Sequence, residues 1–286
     1  MNSVESISCP FCQSRSTQSF IKEIVPAYDL VKCVDCAVIY SLPFKSPGLD
    51  FYTKADDASS KERHSKLFSL PKDHPARKMP VLQEGSGKKL LDIGCGNGSF
   101  AEYAAGKGFN VLAIDIDTAS LEIAAKRATK NTIYKNALLK DIIIDENQYN
   151  AFDVITMFEV FEHIDNPMET IKNIKKLLKP NGHFIGSLPN INRLSMWKRF
   201  NDYEAPPYHL SYWTINTWKS FMQKNDFQFI ASKNNVYHGY IADYYRMRSK
   251  SEVMNVFWQI VKKIIEAPIE RLINAGASFS FVFKKS

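Results

Sequence analysis

Apolar positions along this chain follow two periods. Short, mostly apolar runs at 90–93, 111–114, 132–138, 151–158, 183–188, 227–232 and 277–284 each predict a strand. Between them, 99–107, 120–128 and 216–225 have the helical period. A further helix is expected from Asn166-Pro167, with Ile171, Ile174, Leu177 and Leu178 as its core stripe and Pro180-Asn181-Gly182 as its stop. Strands alternating with helices predict an open α/β sheet covered on both faces.

The sharpest break in the pattern follows the first run, in Asp92-Ile93-Gly94-Cys95-Gly96-Asn97-Gly98. A glycine turn there lies at the carboxyl end of a strand and the amino end of a helix, where open α/β sheets bind ligands. Missing side chains at Gly94 and Gly96 would let a ligand lie against the backbone, and unpaired N–H groups of the helix start would favour a carboxylate or phosphate. Asp92 would set an anion beside an ammonium group or ordered water. The second strand ends in Asp115, an acid placed to accept hydrogen bonds from both hydroxyls of a ribose. A nucleoside cofactor is the expectation, against the alternative of a plain strand-to-helix turn.

The glycines alternate instead of following the G-x-G-x-x-G spacing of dinucleotide loops. The stretch LLDIGCGNG resembles the first motif of the class I S-adenosylmethionine-dependent methyltransferases, over residues 75–235 and the last ten. That resemblance implies a Rossmann-like seven-stranded sheet with its final strand antiparallel. It also implies S-adenosylmethionine contacts at Asp92, Gly94, Cys95, Gly96, Asn97, Gly98, Asp115, Ile116 and Phe158, with Cys95 a small filler inside the loop. The family's adenine-contacting acid has no clean match before Asp141.

Cys9-Pro10-Phe11-Cys12 and Cys33-Val34-Asp35-Cys36 form two C-x-x-C pairs. Such knuckles can bring four thiolates around a structural Zn²⁺, which a segment this short needs for lack of a core. Disulfides are the competing reading, and a redox C-x-x-C would require a thioredoxin-like βαβ context that Pro10 and Phe11 do not have. The predicted organisation is a zinc-ribbon-like module at 1–45, a linker with a lid helix at 46–80, a methyltransferase domain at 81–236 and 275–286, and a helical insertion at 237–274. In the linker, a short helix is expected at 61–68; the resemblance implies that this segment lies over the cofactor, with Tyr52, His64 and Phe68 as candidate lid residues, and a solvated linker is the alternative for each.

Among 286 residues, hydrophobic content of 45% and charged content of 23% are ordinary for a globular protein. No secretory signal is expected, no apolar run approaches a bilayer span, and a cytoplasmic location is the expectation. A net charge of +7 points to acidic partners such as phosphate groups, RNA or anionic lipid. Segment 253–265 is apolar on one side with Lys262 and Lys263 on the other, so peripheral membrane contact competes with packing over a cleft or a second subunit. The sequence leaves the oligomeric state open.

Methyl transfer to a hydroxyl needs a general base or a metal. Glu159, Glu162 and His163 follow the fourth strand, and His209 returns to the same face from the loop APPYHLSYWT. Together they would suit Mg²⁺ or Mn²⁺. Metal-free base catalysis by His163 or His209, and a merely structural Glu-His pair, are the alternatives. The E-x-x-E-H stretch resembles the ubiquinone-pathway O-methyltransferases. With the later His-x-x-x-Trp-Thr it also resembles metal-dependent small-RNA 2′-O-methyltransferases. Tyr203, Tyr208, Tyr212 and Trp213 could stack on a sugar or base, or pack in the core. The ribbon with Val38-Ile39-Tyr40 and Pro43 resembles the one found ahead of bacterial methyltransferases of sugars, polysaccharides and lipid-linked glycans. The leading expectation is therefore O-methylation of a sugar, glycan intermediate or related metabolite. The rivals are rRNA or tRNA methylation, and a zinc-ribbon docking protein with a degenerate, cofactor-sensing domain.

Overall fold

The computed structural model describes residues 8–48, 51, 70–72, 74–192, 204–235, 252–261, 264 and 276–286. The expected helix at 61–68, with Tyr52, His64, Phe68 and Tyr203, lies outside the described residues, as does most of 237–274.

Seven strands form the main sheet: β4 (Lys89–Ile93), β5 (Asn110–Asp115), β6 (Thr132–Asn136), β7 (Phe152–Phe158), β8 (Leu178–Pro189), β10 (Phe227–Asn235) and β11 (Ser278–Lys285). Their order is β10-β11-β8-β7-β4-β5-β6. Pairings from β8 through β6 are parallel, and β11 runs antiparallel to both β8 and β10. The chain turns to opposite sides of β4 for β5 and β7, so the carboxyl end of β4 is the topological switch point.

Side chains alternate across the sheet, as the period of a strand requires. Leu91, Ile93, Ile155, Met157, Phe184, Phe281 and Phe283 belong to one core, under α4 (Pro167–Leu177) and α5 (Ile215–Lys224). Leu90, Val111, Ala113, Val154, Ile185 and Val282 belong to the other, under α1 (Ser99–Gly106) and Leu121 of α2 (Thr118–Ala125). The apolar run 142–144 belongs to a short helix, α3 (Leu139–Ile143), and not to the third strand. Helix α4 stops at Leu177, before the predicted Pro-Asn-Gly signal, because Leu178 is already extended and opens β8.

A second sheet, of order β1-β2-β3-β9, joins β1 (Thr17–Val25), β2 (Tyr28–Cys33) and β3 (Ile39–Leu42) to β9 (Ser211–Tyr212). The cysteine-bearing segment thus pairs with a strand of the loop that follows β8. It also shares a core with the larger sheet: Cys9, Phe11, Val31, Cys33, Val38 and Tyr40 lie in the same cluster as Leu91 and Phe281. Of the 237–274 insertion, the described part is α6 (Glu252–Val261) and Ile264, with Met254, Val256, Phe257, Ile260 and Ile264 exposed. Among the described residues, no helix is long and apolar enough to cross a membrane.

Candidate active site

The glycine loop leaves β4 at the switch point. Gly94, Gly96 and Gly98 all have positive φ, which alone explains why glycine is needed there. Their missing side chains serve different ends. A Cβ on Gly94 would lie 2.3 Å from Cγ2 of Val160, so that space is filled from within, contrary to the expectation of ligand approach. A Cβ on Gly96 would meet nothing within 4 Å, and here the backbone is open to a ligand.

Several N–H groups of the loop are already paired. Those of Gly94 and Cys95 donate to Ile114 O, at 2.9 and 3.1 Å, and that of Gly96 donates to Asp115 Oδ2 at 2.7 Å. Asn97, just before the N-cap Gly98, accepts from the Ser99 N–H at 3.2 Å and the Ser99 hydroxyl at 2.7 Å. Cys95 is turned into the core, 9% exposed, as the filler reading expects.

Asp115 also accepts from Asp117 N at 2.9 Å, which fixes its carboxylate at the strand end. Burial pushes its pKa up, opposed by these N–H donors. Asp92 is 2% exposed and accepts from the Thr156 hydroxyl at 2.8 Å. Burial, with the nearby Asp115 charge, raises its pKa to about 7. Ile116 and Phe158, both half-buried, flank the loop at the ends of β5 and β7. Phe158 packs on Phe100 at 4.8 Å and on His74 at 5.0 Å.

Beyond β7, the expected group of four acceptor-side residues divides. Glu159 is exposed, has φ 55°, and accepts from the Ser187 hydroxyl at 2.5 Å, held on β8. The ligand atoms of Glu162, His163 and His209 instead lie within 4.8 Å of one another. A 3-10 turn, Phe161–His163, carries the first two, and Leu210 N donates to Glu162 O at 2.8 Å, which docks the His209 segment on that turn.

Glu162 is 1% exposed, and neither carboxylate oxygen has a hydrogen-bond partner among the described residues. Burial and the neighbouring Glu159 charge raise its pKa well above the usual range. His163 Nδ1 lies 2.6 Å from Tyr208 O, and a carbonyl only accepts, so the ring proton is on Nδ1. That leaves the Nε2 lone pair 3.9 Å from Glu162 Oε1. Burial lowers the His163 pKa and keeps the ring neutral. The spacing of the two groups suits a shared proton or a cation. The His209 ring, 8% exposed, packs edge-on against His163 at 4.8 Å.

The four amino-terminal cysteines are free thiols whose sulfurs all lie within 4.8 Å of one another, so the disulfide reading does not hold. Cys9 and Cys36 are 3.7 Å apart and Cys12 and Cys33 are 3.5 Å apart, close to the ~3.8 Å edge of a tetrahedron with ~2.3 Å zinc–sulfur bonds. The two knuckles repeat one backbone geometry. Gln13 N donates to Cys9 O and Cys9 N to Ser14 O, while Ala37 N donates to Cys33 O and Cys33 N to Val38 O. Gln13 and Ala37 both have positive φ.

Several supporting residues escaped the sequence reading. Thr156 carries Asp92, Val160 fills the space at Gly94, and Asn136 Nδ2 donates to the carbonyls of Asp115 and Ile116. Asp141 caps α3 through Leu138 N at 2.7 Å. Trp213 is fully buried, so packing and not stacking on a ligand is its role.

Residues 63–232 match the family described as methyltransferase domain. The chain is 41% identical over 101 residues to a ubiquinone biosynthesis O-methyltransferase of Actinobacillus pleuropneumoniae, covering 34% of this chain and 43% of that protein. It therefore spans less than half the length of that relative. An S-adenosylmethionine-dependent methyltransferase from Mesorhizobium loti superposes with TM-score 0.53 at 15% identity, over 73% of this chain and 95% of the other. A chain of the complex between the Haloferax volcanii Trm112 methyltransferase activator and a methyltransferase superposes with TM-score 0.56 at 15% identity, over 84% and 98%. These two likenesses show the fold. With the glycine loop, Asp115 and the strand order already in place, the chain belongs to the methyltransferase-domain family and has its Rossmann-like, seven-stranded fold.

Proposed function

We propose that the protein methylates a hydroxyl of a small molecule, in the sugar or glycan-intermediate class, and that Glu162, His163 and His209 prepare that hydroxyl. The observation that carries the reading is the buried Glu162 carboxylate, which has no hydrogen-bond partner among the described residues and lies 3.9 Å from His163 Nε2. An amine acceptor would need little beyond positioning, whereas a hydroxyl needs a group that lowers its pKa or takes its proton.

The cofactor supplies a sulfonium methyl group for in-line transfer. Asp115 would hold its ribose, the open backbone at Gly96 would admit it, and Phe158 would wall the methyl side. The donor set of the acceptor side, two imidazoles and one carboxylate, fits a divalent ion, with Glu159 drawn away onto Ser187. Of the expected Mg²⁺ and Mn²⁺, that set suits Mn²⁺, and with it Fe²⁺, Co²⁺ or Zn²⁺, better than Mg²⁺, which favours an all-oxygen shell. Such an ion would supply Lewis acidity toward the acceptor oxygen. Without it, His163 Nε2 is the basic atom, since Tyr208 fixes the ring proton on Nδ1.

Sugar specificity rests on the resemblance of the ribbon, and O-methylation draws support from the ubiquinone-pathway relative. The experiment is calorimetry with S-adenosylmethionine, followed by methyl-transfer assays over sugar and phenol acceptors with Mn²⁺ or Mg²⁺ added to dialysed protein. Cofactor binding in the micromolar range and turnover greater with Mn²⁺ are expected. Failure to bind the cofactor would sink the reading, and transfer only to amines would sink the hydroxyl assignment.

A further inference from the structure

The cysteine cluster sits apart from the cofactor loop, yet its backbone runs directly into the acceptor side. The second knuckle, Cys33 to Val38, leads into β3. That strand pairs with β9 through Ile39 with Tyr212 and Tyr40 with Ser211, and Ser41 N donates to Leu210 O at 2.9 Å. The N–H of the same Leu210 donates to Glu162 O at 2.8 Å. One residue, adjacent in sequence to His209, thus bridges the cysteine-bearing sheet and the turn that holds Glu162 and His163.

The first knuckle makes a second tether. Phe11, between Cys9 and Cys12, packs on Trp213 at 5.0 Å and on Phe221 at 5.7 Å. Its near-complete burial holds the two parts together. Tyr40 makes a third. Its ring packs on Phe11 and Phe44, while its buried hydroxyl has no hydrogen-bond partner among the described residues. Thiolates holding a metal would give that O–H an acceptor.

The hydrogen bonds that shape the cofactor loop are separate from these tethers. Its N–H groups are tied to Ile114 and Asp115, and Cys95 and Phe100 belong to the other core.

We infer that a zinc ion held by Cys9, Cys12, Cys33 and Cys36 positions the acceptor half of the active site: it fixes β3, β3 carries β9, and β9 sets His209 against Glu162 and His163. The inference rests on the proposed role of His209. Strand β1 is largely exposed and buries little apolar surface, so on that side of β2 little besides the ion would draw the two knuckles together. In that state β3 loses its register, and Leu210 loses one of its two backbone partners.

The test uses the full-length protein. Zinc is quantified, then removed with a mercurial reagent and chelator, and backbone hydrogen exchange is compared with and without zinc. Stripping is expected to speed exchange at 39–42 and 209–213 at least tenfold. Protection at 89–93 and 110–115, and S-adenosylmethionine affinity within threefold, should persist, and added zinc should restore the pattern. Absence of stoichiometric zinc, unchanged protection at 209–213, or loss of protection through β4 and β5 as well would each overturn the inference. Tyr40→Phe, which keeps the ring contacts, is expected to release zinc to a chromophoric chelator several-fold faster, and an unchanged rate would overturn the part given to Tyr40. If the zinc-loaded protein fails to bind S-adenosylmethionine, the methyltransferase reading falls, whereas the exchange pattern is read without the cofactor.

Discussion

The cofactor loop is built from neighbours: Asp92 to Ser99 on one strand, turn and helix, closed by Asp115 at the end of the adjoining strand. The acceptor cluster is assembled from distant pieces, with Glu162 and His163 on a turn after β7 and His209 on a segment docked by Leu210. In the loop, the backbone donors of Gly94, Cys95, Gly96 and Ser99 are paired. In the cluster, a buried carboxylate is left without a hydrogen-bond partner among the described residues. The first arrangement is complete before any ligand arrives and can bind by presenting a rigid surface. The second holds an unmet electrostatic demand, which a proton, a cation or a substrate group can satisfy.

The contrast breaks most severely if His209→Ala or Glu162→Gln leaves turnover intact. Each is expected to lower methyl transfer by ~10²–10⁴-fold, measured as release of the demethylated cofactor, while calorimetric affinity for S-adenosylmethionine stays within a factor of two. Glu162→Gln should also raise the melting temperature of the metal-free protein at pH 8, because it removes a buried carboxylate whose charged form burial disfavours. A fall would mean that the carboxylate is already paired in solution.

Two glycine substitutions sharpen the loop side. Gly94→Ala combines positive φ with a 2.3 Å approach to Val160 and should cost about 2–4 kcal/mol of stability, read as a melting temperature lower by several degrees. Gly96→Ala meets open space and should cost only about 1 kcal/mol of stability, while weakening the cofactor that would lie there. Equal melting temperatures would remove Val160 as the reason for Gly94.

Asp115→Ala should weaken cofactor binding by about 1.5–3 kcal/mol, the loss of charge-assisted hydrogen bonds to ribose. Unchanged affinity would take Asp115 out of the site.

The smallest effect expected is a pH dependence from Asp92. Its pKa in the folded protein is raised to about 7, so below that pH the buried carboxyl is neutral and attracts a cationic cofactor less. Affinity for S-adenosylmethionine should therefore fall several-fold from pH 8 to pH 6, with Asp92→Asn flattening the profile. For the cofactor-free fold the sign is opposite. A raised acid stabilises the folded state fully below its ordinary value of 3.8, and that contribution is lost as pH rises through about 7.

The run of apolar residues into LLDIGCGNG predicted β4, the glycine turn and α1, and the next run predicted the strand ending at Asp115. These were legible because strand, turn and helix are set by contacts within a few residues, and because a parallel βαβ unit places its next strand end beside the first. The paired C-x-x-C spacing was legible for the same reason, since each knuckle closes within one turn. What no local pattern held was decided when distant segments met. Val160 occupies the room that Gly94 leaves, β8 brings Ser187 to draw Glu159 aside, and β3 captures β9 so that the cysteine module and His209 share one sheet. Those outcomes depend on which surfaces remain apolar or unpaired after the elements have formed, and only close packing of the whole chain resolves that.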